Sequence, residues 1–96
     1  MNDYEIMLLL DPELAEERAN EIIQRIRDSV DGAQGSWDGH EPWGRRRLAY
    51  EIDKKSEGIY TVIDLVAEPD TVKELDRQLN LNEAVLRTKI LRPELH

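Results

Sequence analysis

Cysteine is absent from this 96-residue chain, which excludes disulfides, thiolate metal sites and cysteine nucleophiles. Phenylalanine is absent too, leaving two Trp and three Tyr as the aromatic complement. Histidine occurs only as His40 and His96, and serine only as Ser29, Ser36 and Ser56. No GxSxG elbow or paired-histidine motif accompanies them, and two histidines so far apart read as surface imidazoles, not metal ligands. No glycine loop of the P-loop or dinucleotide type is present. The chain is therefore not expected to be an enzyme or to hold a metal or cofactor. The unbroken apolar run near the N-terminus, Ile6 to Leu10, is far too short for a signal peptide or a membrane span. A cytoplasmic protein is the expectation.

Basic charge is scarce as well: 13 Lys and Arg stand against 21 Asp and Glu, for a net charge of -8. Its placement matters more than its total. Residues 1–40 carry a net -7, residues 41–60 a net +1 and residues 61–96 a net -2. Overall acidity argues against tight unaided binding to nucleic acid, since phosphate neutralisation supplies most non-specific affinity. A focused basic patch remains compatible with it. Such a patch exists in Trp43-Gly44-Arg45-Arg46-Arg47-Leu48-Ala49-Tyr50-Glu51-Ile52. Three adjacent guanidiniums repel one another and call for a polyanion or a carboxylate surface opposite them. Arg suits phosphate because its planar fork donates paired hydrogen bonds and stays charged. A solvated strand flank is the competing reading.

Ninety-six residues make one domain, residues 1–96, burying roughly 60–65% of the unfolded chain's surface. Tyr4 to Leu10 reads as a buried strand. Asp11-Pro12-Glu13 then looks like a helix start, with Asp at the N-cap and Pro at the first helical position. Ala15, Ala19, Ile22, Ile23, Ile26 and Val30 recur at helical spacing until Gly32 and Gly35. An extended segment from about Ser36 to Ile52 is interrupted by Gly39 and Pro42, which places it at a sheet edge. Asp53 to Gly58 reads as a polar turn, and Ile59 to Val66 as the third strand. Glu68-Pro69-Asp70 opens a second helix carrying Val72, Leu75 and Leu79 on one face, and Val85 to Arg92 is a fourth strand closed by Pro93. The order βαββαβ predicts an α+β, ferredoxin-like split βαβ sandwich: a four-stranded antiparallel sheet with two helices on one face.

Strands one and three are apolar on both sides, so the helix-free face should offer apolar area to water or to a partner, unless long Arg and Lys stems cover it. Base stacking on that face is disfavoured, because the third strand offers only Tyr60 where an RNA-recognition domain has two or three aromatics. Trp43 and Tyr50 are expected to be buried supports flanking the arginine run.

Three segments in order carry a family resemblance: Tyr4-Glu5-Ile6-Met7-Leu8-Leu9-Leu10-Asp11-Pro12, Trp43-Gly44-Arg45-Arg46-Arg47-Leu48-Ala49-Tyr50, and Leu81-Asn82-Glu83-Ala84-Val85-Leu86-Arg87. With Glu57-Gly58-Ile59-Tyr60 between them, the whole chain resembles the bacterial small-subunit ribosomal protein S-six family. The resemblance implies a ferredoxin-like fold and a structural, rRNA-binding role in the cytoplasmic ribosome. It further implies binding to the central domain of small-subunit rRNA together with a small basic partner, ribosomal protein S-eighteen. A partner that neutralises much of the phosphate would explain how a -8 protein joins RNA, with Trp43, Arg45, Arg46, Arg47 and Arg87 making local contacts to RNA or partner. Strand alternation separates Arg45 and Arg47 from Arg46. Asn2-Asp3 replaces a basic residue common in the family, and Gly39-His40-Glu41-Pro42 lacks a usual lysine, which argues against RNA contacts at either place. A different class stays open from the residues themselves: a ferredoxin-like regulatory module that binds a small anionic ligand as a homo-oligomer.

Overall fold

The computed structural model describes residues 1–93; His96 lies outside the described residues. Six elements follow one another: β1 (Asn2–Leu10), α1 (Glu16–Gly32), β2 (Ser36–Ile52), β3 (Lys55–Ala67), α2 (Pro69–Leu81) and β4 (Val85–Leu91). The strands form one antiparallel sheet in the order β2-β3-β1-β4. This is the expected ferredoxin-like βαββαβ arrangement, and β2 is indeed an edge strand.

Period-two alternation decides which side of the sheet is covered. Tyr4, Ile6, Leu8 and Leu10 of β1 and Ile63, Leu65 and Ala67 of β3 cluster with Ile26 and Val30 of α1 and with Val72, Leu75 and Leu79 of α2. Ile6, Leu8, Leu10, Val30 and Ile63 are wholly buried there. Each such side chain contributes about 1.5–3 kcal/mol by leaving water. The central strands β1 and β3 thus hold the core, while β2 lies outside it and is mostly exposed.

The first helix starts later than its sequence indicates. Asp11 accepts the Glu13 N–H at 2.9 Å on its side chain and the Leu14 N–H at 3.1 Å on its carbonyl, which makes a local turn. That turn competes with helix formation, so α1 begins at Glu16 behind Ala15. The second helix starts as expected, with Pro69 in its first turn.

Two turns hold non-glycine residues in the left-handed region. At the end of α1 the Gln34 N–H bonds the Asp31 carbonyl and the Gly35 N–H bonds the Val30 carbonyl, a Schellman pair with Gln34 at φ +64. Between β2 and β3 only Asp53 and Lys54 connect the paired Ile52 and Lys55, at φ +50 and +65. Both positive values define a type I′ hairpin turn, tighter than the polar turn expected from sequence. Left-handed backbone costs about 1–2 kcal/mol without glycine, against about 0.5–1 kcal/mol of extra glycine entropy. Gln34→Gly and Lys54→Gly are each expected to stabilise the fold slightly, read as a rise of a few degrees in a thermal melt. A fall in both would show that the side chains hold these turns.

Candidate nucleic-acid interface

Strand β2 pairs with β3 through three register shifts, between Trp37 and Gly39, Pro42 and Gly44, and Arg47 and Ile52. The second shift leaves Trp43 as the extra residue, since Pro42 pairs with Thr61 and Gly44 with Tyr60. Gly44 takes φ +81, which the bulge needs and other residues rarely adopt. The indole thereby approaches the Tyr60 ring, with centroids 6.4 Å apart and planes inclined by 50°. Strict alternation along the sequence would have grouped Trp43 with Arg45 and Arg47.

Beyond that bulge the arginines alternate as expected. Arg45 pairs with Ile59 and Arg47 with Glu57, while Arg46 pairs with Gly58. Ile59 belongs to the helix-covered side, so Arg45 and Arg47 share that side. Gly58 and Tyr60 share the open face, and Arg46 sits there with them. The three differ in what they touch. Arg45 donates to the Pro12 carbonyl at 3.0 Å and lies 3.5 Å from the Glu57 carboxylate, so it ties β2 and β3 to the β1–α1 turn. Among the described residues, Arg46 makes a single polar contact, donating to the Arg45 carbonyl at 3.4 Å. Arg47 has no ion pair or hydrogen bond among the described residues. Lys55 is engaged inside the domain: it donates to Glu13 at 2.8 Å and lies 3.8 Å from Asp11. The hydrogen bond to Glu13, helped by the Asp11 charge, raises its pKa above the ordinary lysine value.

Arg87 joins the site from the opposite edge. Its Nη1 donates to the Tyr50 hydroxyl at 2.5 Å, and its guanidinium carbon lies 5.5 Å from the centre of the Tyr50 ring. Tyr50 stands among the residues left unpaired between Arg47 and Ile52, so the end of β2 reaches across the open face toward β4. On the open face Arg87 also lines a cavity of about 260 Å³, with Met7, Leu9, Tyr60 and Lys89. Sequence reasoning did not assign Lys89 or Tyr60 to the site and did not foresee the Tyr50–Arg87 contact. Arg87 and Lys89 stand two apart on one strand, which places both on one face; that spacing was available as a signal. The contacts of Trp43 and Tyr50 depend on bulges and were not.

Two expectations are corrected here. Trp43 and Tyr50 are not buried supports: they are 42% and 59% exposed. The open face is also less bare than its apolar pattern implies, with Leu9 and Val62 buried and Met7 and Val66 half-buried. The exposed apolar area has moved to Trp43 and Tyr50. A second cavity of about 420 Å³ lies on the helix side of β2, with His40, Pro42 and Arg45 on one wall and Glu16, Ala19, Asn20 on the other. Among the described residues, no group of three or more His, Asp or Glu is placed to hold a metal ion. No helix among them is long and apolar enough to cross a membrane.

The model of the family described as ribosomal protein S6 matches residues 3–92. The small ribosomal subunit protein bS6 of Streptomyces griseus is 58% identical over the full length of both chains. That of Thermobifida fusca is 56% identical, again over both full lengths. Among solved structures, the 30S ribosomal protein S6 of Thermotoga maritima superposes with a TM-score of 0.86 at 29% identity, covering 95% of this chain and 86% of its own. The C-terminal domain of the MgtC protein from Mycobacterium tuberculosis shares the fold at 12% identity, with a TM-score of 0.67 over 96% of this chain and 87% of its own.

Proposed function

The chain belongs to the ribosomal protein S6 family, and we propose that it binds the central domain of small-subunit rRNA jointly with the basic ribosomal protein S-eighteen. As a member of that family it is a structural protein of the small ribosomal subunit, not an enzyme, and works in the cytoplasm. One observation carries the RNA reading. In a chain of net charge -8, the helix-free face carries Arg87 and Lys89 together beside Tyr60, and Arg46 on its β2 edge. None of the three has a carboxylate partner among the described residues. Positive groups left uncompensated in an acidic protein await an outside anion. Arg47, on the other side of β2, also has no carboxylate partner among the described residues.

The acids elsewhere limit what this patch achieves alone. The isolated protein is expected to bind unrelated RNA weakly, and addition of the basic partner should strengthen binding to the central-domain rRNA greatly. Filter or fluorescence binding at physiological salt, with and without partner, measures both. Submicromolar binding of the lone protein to unrelated RNA would overturn the division of labour. Failure of the protein to co-sediment with small subunits would overturn the assembly role itself.

A further inference from the structure

We propose that the open-face cavity seats one RNA phosphate between Arg87 and Lys89, with Tyr50 as the residue that positions Arg87. This rests on the assembly role above and names a site within it. Arg87 and Lys89 pair across β4 and β1 with Leu9 and Met7, the two apolar residues that floor the cavity. Two residues of strand separate their backbones by about 7 Å, so both long side chains reach one tetrahedral anion.

The guanidinium is ordered before any ligand arrives. Tyr50 accepts one of its five N–H groups and lays its ring beside the rest. The other donors stay available, and Arg87 remains exposed. Lys89 has no hydrogen bond or ion pair among the described residues. Glu5 and Asp64 share this face, and Glu5 pairs with Leu91, toward the far end of β4 from Arg87. Neither carboxylate makes an ion pair with Arg87 or Lys89 among the described residues, although Glu5 lies diagonal to Lys89. Phosphate is favoured over a protein carboxylate because the proposed protein partner is itself basic, whereas every nucleotide carries the anion.

The test measures partner-assisted binding to central-domain rRNA over a salt series. A thermal melt and RNA-free partner binding are taken for each variant. Arg87→Ala and Lys89→Ala should each flatten the salt slope by about one unit, and the double variant by about two. Lys89→Arg should restore the slope. Tyr50→Phe keeps the ring and loses the acceptor, so it should weaken RNA binding severalfold at unchanged slope and unchanged melting temperature. Tyr50→Ala should weaken it further, again without changing slope, because no cation is removed.

Wild-type RNA binding by Tyr50→Phe overturns the positioning role. Wild-type slopes for Arg87→Ala and Lys89→Ala, alongside losses in Arg46→Ala with Arg47→Ala, overturn the phosphate seat while leaving the assembly role intact. Loss of RNA-free partner binding in Arg87→Ala or Lys89→Ala would make the anion a partner carboxylate and also overturn it. If none of these variants alters RNA binding, the RNA role of both faces fails with it.

Discussion

Replacing Gly35 with alanine should lower the melting temperature by on the order of 10 °C. An added Cβ would lie 2.5 Å from the Val66 carbonyl oxygen, 2.8 Å from a Val30 methyl and 3.2 Å from the Val30 carbonyl. Val30 is wholly buried at the end of α1, and Val66 pairs with Ser36 in the sheet. Neither carbonyl can retreat without breaking pairing or the Gly35–Val30 hydrogen bond that closes the helix. Overpacking of this kind costs about 1–3 kcal/mol, and each kcal/mol moves a domain of this size by about 4–8 °C. Gly32→Ala is the control, because nothing lies within 4 Å of its added methyl. If Gly35→Ala melts alongside the wild type, the α1–β2 junction is looser than its contacts indicate.

The second large effect is on binding. Arg46→Ala combined with Arg47→Ala should flatten the salt dependence of partner-assisted rRNA binding by up to about two units of slope. Its melting temperature should barely move, since neither side chain has an ion pair among the described residues. Arg45→Ala should do the reverse. It releases the β1–α1 turn from β2 and β3 by removing the contacts to Pro12 and Glu57, while its binding stays near wild type. Exposed ion pairs are worth only about 0–1 kcal/mol, so the stability loss is small, and the contrast lies in the salt slopes. Equal slopes for the double variant, Arg45→Ala and the wild type would reduce the run to a solvated flank.

The contrast among these arginines shows how far the sequence could be read. Alternation alone separated Arg46 from Arg45 and Arg47, and the β3 register agrees with it. What alternation could not show is that Arg45 is taken by a backbone carbonyl 33 residues away. The elements themselves were legible because period-two and period-3.6 apolar patterns extend over whole strands and helices. The start of α1 was misplaced because Asp11-Pro12-Glu13 satisfies a helix cap and a local turn equally well, and the turn won. Trp43 and Tyr50 escaped because bulges change side-chain parity without a strong sequence mark. Gly44 was the one clue, at φ +81. Lys89 was left out of the site for a plainer reason: the sequence shows it as one of the basic residues of the last strand, but the cavity beside it is visible only in the fold.

The register shifts of β2 have a meaning for the life of the chain before assembly. A 17-residue edge strand presents unpaired backbone groups to any other strand it meets. Cross-β stacking wants about six or seven regular residues in succession. Along β2 no run between shifts exceeds four: Gly39 to Pro42, then Gly44 to Arg47. Pro42 removes one donor from the first run, and the second carries three like charges that would repel their copies in an in-register stack. The irregularities that place Trp43 and Tyr50 therefore also make β2 a poor template for the addition of a strand from another chain.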